Sequence, residues 1–119
     1  MKKLTEREEE IMQVLWKLEK AFVKDIIPHL PQEYHYNTVS TVVRLLETKG
    51  FITHEAFGNT HQYLPKITKQ EYSSFYMKSA SKRFFNNSYK SMLSFFANEE
   101  KISPEELEEI LKLIENKKK

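Results

Sequence analysis

Asn37, Ser40, Thr41 and Arg44 put three short polar side chains and a guanidinium on one face of a single apolar-periodic stretch. On a helix such positions lie side by side, because the chain turns once in roughly 3.6 residues. Asparagine, serine and threonine are short enough to let a helix settle deep in a major groove. There they hydrogen-bond phosphates or base edges, a threonine methyl can meet a thymine methyl, and an arginine reaches guanine or phosphate. This is binding chemistry. An exposed helix face of any protein is also polar, so the face alone does not separate a DNA reader from a solvated surface.

Catalytic chemistry lacks its parts. The four histidines, His29, His35, His54 and His61, do not pair with carboxylates at metal-ligand spacing. A hairpin can bring His54 and His61 together as cross-strand neighbours, but two nitrogens without a third ligand make a poor zinc site. No metal, cofactor or catalytic residue is expected. Gly50 and Gly58 are the only glycines, so no phosphate-binding glycine loop exists. Cysteine is absent, which removes disulfides, thiolate metal sites and thiol nucleophiles.

The elements that must position the polar face follow from capping and periodicity. Thr5 and Glu8 form a capping box for a first helix, whose buried stripe is Ile11, Met12, Leu15, Trp16 and Leu18. A second helix is predicted from Val23 to about Leu30, with Pro28 bending or ending it. The third runs from Asn37 as N-cap to Lys49, stops at Gly50, and turns Val39, Val42, Val43 and Leu46 inward. Phe51 to Glu55 and Gln62 to Leu64 read as two strands joined around Gly58-Asn59. Helix, helix, helix, strand, strand is the order of a winged helix-turn-helix domain, with a recognition helix for the groove and a hairpin for the flanking backbone.

After Ile67 the character changes. A long helix starting at Thr68 or Lys69 is broken by Asn86-Asn87-Ser88, and two further amphipathic segments follow, the last opened by Ser103-Pro104-Glu105-Glu106. The expected fold class is mostly α with a small β-hairpin: a winged helix-turn-helix domain over residues 1–67 and a helical domain over 68–119. The second block holds eight aromatics, too much apolar surface for its size to hide alone. Burial against a second copy is the expectation, with folding back onto the first domain as the alternative. The side chains assigned to the dimer interface are Tyr72, Phe75, Tyr76, Phe84, Phe85, Leu93, Phe96, Leu107, Ile110, Leu111 and Ile114.

Charge does not announce a nucleic-acid partner. The formal net charge is +2, and residues 1–66 carry nine basic and nine acidic side chains. A winged-helix protein-interaction module that never touches DNA is therefore the rival reading, and its motive is this neutral first domain. No apolar run approaches the roughly 20 residues needed to cross a bilayer, and the charged opening is unlike a signal peptide, so a cytoplasmic protein without membrane insertion is expected.

Three segments carry a family resemblance. L-T-E-R-E-E-E-I-M-Q-V-L-W at Leu4–Trp16, Y-N-T-V-S-T-V-V-R-L-L-E-T-K-G-F-I at Tyr36–Ile52 and S-P-E-E-L-E-E-I at Ser103–Ile110 resemble the penicillinase-repressor family of the BlaI/MecI/CopY type. The resemblance implies a homodimeric winged-helix transcriptional repressor that binds pseudo-palindromic operator DNA. Carried over by position, recognition-helix contacts fall on Asn37, Thr38, Ser40, Thr41 and Arg44, and wing or flanking phosphate contacts on Lys49, Asn59 and His61. It also implies release by a signal acting on the dimer, through proteolysis with a membrane sensor-protease upstream. The family's Asn-Phe cleavage bond has Phe95-Phe96 in its place, so the cleavage site does not carry over. The copper-responsive branch, which senses metal through C-terminal cysteines, does not fit. Phe22 replaces the usual threonine cap, Leu45 a usual basic residue, and Thr53-His54-Glu55-Ala56 a usually basic wing. A shallow salt dependence is expected.

Overall fold

The computed structural model describes residues 1–117 and contains two compact units, Met1–Tyr76 and Met77 onward. In the first, α1 (Glu6–Leu18) begins with the expected capping box: Glu8 N donates to Thr5 Oγ1 at 3.2 Å, and Thr5 N donates to Glu8 Oε1 at 2.9 Å. Its Ile11, Met12 and Leu15 are fully buried, while Trp16 sits at the rim and donates its indole N–H to the Ile67 carbonyl at 2.9 Å.

The second helix departs from expectation. α2 covers only Val23–Ile26 and passes into a tight 3₁₀ turn over Ile27–His29, with Leu30 N bonded to the Ile27 carbonyl. Pro28 has no N–H to give an α-helical ladder, so the chain tightens instead of continuing to Leu30. Phe22 does occupy the cap position. It has no side-chain acceptor, and Asp25 Oδ2 satisfies its N–H at 3.0 Å.

α3 spans Tyr36–Thr48, two residues earlier than predicted at its start. His35, not Asn37, is the N-cap: its Nδ1 accepts from Asn37 N at 3.3 Å. A neutral imidazole nitrogen does the work normally given to a serine or asparagine oxygen. Val39, Val43 and Leu46 are buried as expected, whereas Val42 is only half-buried. Gly50 closes the helix at φ 85°, a left-handed conformation that costs glycine no Cβ clash.

The hairpin is longer than the sequence pattern suggested. β1 (Ile52–Phe57) pairs antiparallel with β2 (Thr60–Pro65) down to Phe57↔Thr60, leaving a two-residue loop of Gly58 and Asn59. Gly58 takes φ 62° at the first loop position, which suits a type II′ connection. Such a tight turn lets pairing run to the tip, so polar tip residues read as loop are strand. A reciprocal pair of backbone bonds between Ala21 and Tyr63, at 3.0 and 2.8 Å, ties the segment after α1 to β2.

α4 (Lys69–Phe84) starts from Thr68, which forms a capping box with Glu71. The first unit extends past residue 67 because Tyr72 is buried within it. The Tyr72 hydroxyl accepts the Leu4 N–H at 2.9 Å, and its ring lies 6.0 Å from those of Trp16, Phe51 and Phe75. Tyr72 and Phe75 thus pack on the first domain's own core, and their assignment to a dimer surface is corrected. Tyr76 remains exposed beneath the Lys3 ammonium.

In the second unit Asn86 and Asn87 adopt φ 51° and 63° and end α4, as the Asn-Asn-Ser break predicts. Ser88 caps α5 (Tyr89–Asn98), and Ser103 with Glu106 forms the box that opens α6 (Pro104–Lys117). Phe85 packs on Phe95, Met92 is buried, and Phe96, Leu107 and Ile110 are half-buried. Phe84, Leu93, Leu111, Leu113 and Ile114 stay exposed.

Tyr72→Phe tests the tyrosine's structural role. It leaves the buried Leu4 N–H unpaired, so a loss of about 1–2 kcal/mol in denaturant unfolding is expected. An unchanged midpoint would show that the hydroxyl does not hold the N-terminus.

Candidate nucleic-acid interface

α3 owes its orientation to its apolar stripe. With Val39, Val43 and Leu46 buried against α1, α2 and β1, the opposite face must project to solvent. That face carries Asn37, Thr41, Arg44 and Thr48, all exposed, with Ser40 and Thr38 half-buried at its edges.

The hydroxyls on it are already directed. Thr41 Oγ1 donates to the Asn37 carbonyl at 2.8 Å, and Thr48 Oγ1 to the Arg44 carbonyl at 3.1 Å. Because each hydroxyl proton points back to the preceding turn, each threonine offers solvent an oxygen lone pair and a methyl. Such a side chain accepts from a base amino group or packs on a thymine methyl. Arg44 leans along the helix, its Nε 3.4 Å from the Ser40 carbonyl, which leaves its terminal nitrogens free to reach outward.

A cleft of about 430 Å³ opens between α3, the start of α2 and the hairpin. It brings together Ser40, Arg44, Asn59 and His61 from the sequence-derived set. Lys24, Tyr36 and Thr60 also line it and were missed by sequence reasoning. Lys24 lacked a sequence signal because only the packing of α2 beside α3 turns it toward this cleft. Its floor is apolar, with Phe22, Val23 and Tyr63. The described residues that line it include no carboxylate, and Lys24 and Arg44 both face the cleft. At the hairpin tip Phe57 is half exposed and packs edge-on against Phe22, ring centroids 5.8 Å apart.

Lys49 lies elsewhere. Its Nζ is 2.6 Å from Glu8 Oε2, and Glu8 is 3% exposed, so the ammonium at the end of α3 is held by a buried acid of α1. Burial pushes the Glu8 pKa up. Hydrogen bonds from Lys49 and Thr5, together with the lysine charge, more than offset it and hold the carboxyl below its ordinary 4.5. Glu6, Glu10, Arg7 and Tyr34 surround the same region, so the acids of α1 gather on a side other than the cleft.

The family model described as "Penicillinase repressor" matches residues 4–116. The chain belongs to the penicillinase repressor family. The penicillinase repressor of Bacillus licheniformis is 28% identical over 117 residues, covering 97% of this chain and 91% of that protein. The methicillin resistance regulatory protein MecI of Staphylococcus aureus (strain N315) is 25% identical over 120 residues, covering 96% and 94%. In fold, the chain is similar to the solved structure of Bordetella bronchiseptica BpsR, with a TM-score of 0.51 and 14% identity over 98% of this chain and 76% of that one.

As a penicillinase repressor family member the protein is a DNA-binding transcriptional repressor with a winged helix-turn-helix fold, and not an enzyme. No described helix is long and apolar enough to cross a membrane. Among the described residues no group of three acidic, histidine or cysteine side chains is arranged to hold a metal ion.

Lys49→Met separates the roles of fold and contact at this position. It strands a buried carboxylate, and because the lysine side chain is 39% exposed the expected destabilisation is about 1–2 kcal/mol, below that of a fully enclosed pair. A carboxyl depressed on folding stabilises at pH above its unfolded value and loses that contribution as pH falls through its folded value. The wild type should therefore lose stability on acidification below about pH 4.3 more steeply than Lys49→Met, measured by denaturant titration at several pH values. Identical acid limbs would remove the pair from this role.

Proposed function

We propose that the protein acts in the cytoplasm as a homodimer on a pseudo-palindromic operator, each subunit laying α3 in one major groove. Repression follows from occupying the promoter. The observation that carries this reading is the cleft between α3 and the wing, where Lys24, Arg44 and His61 converge without an acid. A phosphate backbone fits that arrangement: cations at the walls, short hydroxyl and amide groups from Ser40, Asn59 and Thr60 beside them, and room for one strand. Asn37, Thr38 and Thr41 lie along α3 outside the cleft lining and supply the base-facing part. Lys49 has a smaller share, since Glu8 already neutralises it.

The helical unit supplies the second half of the mechanism. Phe84 is 71% exposed, and Leu111 and Ile114 leave an apolar stripe along α6. Covering these side chains with a second copy removes them from water and sets the distance between two recognition helices. Two linked readers bind far more tightly than one, so weakening the dimer releases the operator. Proteolysis in this unit, driven by a membrane sensor-protease, is the signal proposed.

Binding to a duplex of its own upstream promoter and to a scrambled duplex, across a salt series, tests the reading. Promoter preference with a modest negative salt slope is expected, because few phosphates are neutralised. Arg44→Ala is expected to weaken promoter binding by about 1–3 kcal/mol without altering oligomeric state. Equal affinity for both duplexes would favour a protein-interaction module instead. For the dimer, Phe84→Glu and Leu111→Glu should each give monomers in sedimentation at unchanged helicity; persistence of the dimer in both would place the interface elsewhere.

A further inference from the structure

The wing carries an arrangement that groove reading does not require. His54 and His61 stack face to face, ring centroids 3.9 Å apart and planes within 6°. The register sets His54 opposite Tyr63 and Ala56 opposite His61, so the imidazoles are diagonal neighbours across the hairpin. His54 Nδ1 is hydrogen-bonded to Glu47 Oε2 of α3, and the Tyr63 ring meets both imidazoles edge-on. Only His61 of the pair lines the cleft.

The charged and titratable groups around this stack are few. α3 contributes Glu47, Arg44 and Tyr36; α2 contributes Lys24; β2 contributes the Tyr63 phenol; Glu55 follows His54 on β1 and pairs with Gln62. Burial pushes the Tyr63 phenol pKa up, with Glu47 in the same direction against Arg44, so it stays neutral. Glu47 accepts the His54 Nδ1 proton and compensates charge on that ring. His54 in turn holds His61 at the cleft wall.

His61 therefore meets different surroundings in the free protein and on DNA. In the free protein it shares the cleft with Lys24 and Arg44. With a phosphate between those cations, a charge-assisted hydrogen bond favours the imidazolium. We propose that Glu47, His54 and His61 form a relay that couples DNA binding to uptake of one proton at His61, making repression tighter as pH falls. This rests on the repressor reading above, with Glu47 and His54 as positioning residues. A complex that holds more protons than its free parts gains affinity on acidification, by at most a decade per pH unit for one proton.

The test is anisotropy titration of the full chain with its upstream promoter duplex and a scrambled duplex, from about pH 5.5 to about pH 8.5 at fixed ionic strength. Promoter affinity should rise about threefold to tenfold toward the acid end. His61→Gln should flatten the profile and lower promoter affinity most at the acid end, Glu47→Gln should shrink it, and His29→Gln and His35→Asn should leave it. Imidazole resonances followed by NMR should show His61 titrating at higher pH in the complex than in the free protein, a change that a merely structural histidine would not show. A flat wild-type profile with promoter preference intact, a slope that survives His61→Gln, or a His61 titration that DNA leaves unmoved would each overturn the relay and spare the repressor reading. Loss of promoter preference at every pH would overturn both.

Discussion

The burial of one side of α3 governs the rest of the DNA-binding unit. Val39, Val43 and Leu46 are at most 1% exposed, and the two β-branched valines are poor helix formers on their own. The helix exists because its stripe is covered by Ile11, Met12 and Leu15 of α1, Ile26 of α2 and Ile52 of β1. Once that contact forms, the helix has no rotational freedom about its axis. Asn37, Thr41, Arg44 and Thr48 are then presented outward as a set. Tight packing of the buried face thus sets how accurately the outer face can meet a groove.

Around that contact the chain sorts its charge. The first 66 residues are neutral in sum, yet the acids of α1 and the cations of the cleft do not mix. Glu8 occupies the capping box of α1 and the ion pair with Lys49 at once, so one carboxylate starts a helix and anchors the end of another. Removing it therefore breaks both contacts, and the pair withdraws one lysine from the solvent-facing charge. Lys24, by contrast, lies on a short helix packed beside α3, α1 and β2, and the cleft gains a cation that the linear pattern did not assign.

Capping, periodicity and turn chemistry were legible in the sequence, and the errors have physical causes. The boxes at Thr5 and Ser103 and the Asn-Asn-Ser break are local, and local rules describe them. His35 as N-cap escaped because imidazole is an uncommon cap acceptor. The hairpin was read short because polar tip residues resemble loop, while a tight glycine turn keeps them paired. Tyr72 and Phe75 were read as interface because aromatic residues on a long helix need cover, and sequence does not say which surface provides it.

By itself, then, the sequence determined the order of elements, the polar face of α3, the caps at Thr5 and Ser103 and the stops at Gly50 and Asn86-Asn87. These depend on contacts within a few positions along the chain. Tertiary structure alone decided that Lys49 is held by Glu8, that Lys24 joins Arg44 and His61 at one cleft, and that His54 and His61 stack beside Glu47. Each of those brings together residues from different elements, and their meeting is set by how the apolar stripes pack, which no spacing along the chain specifies.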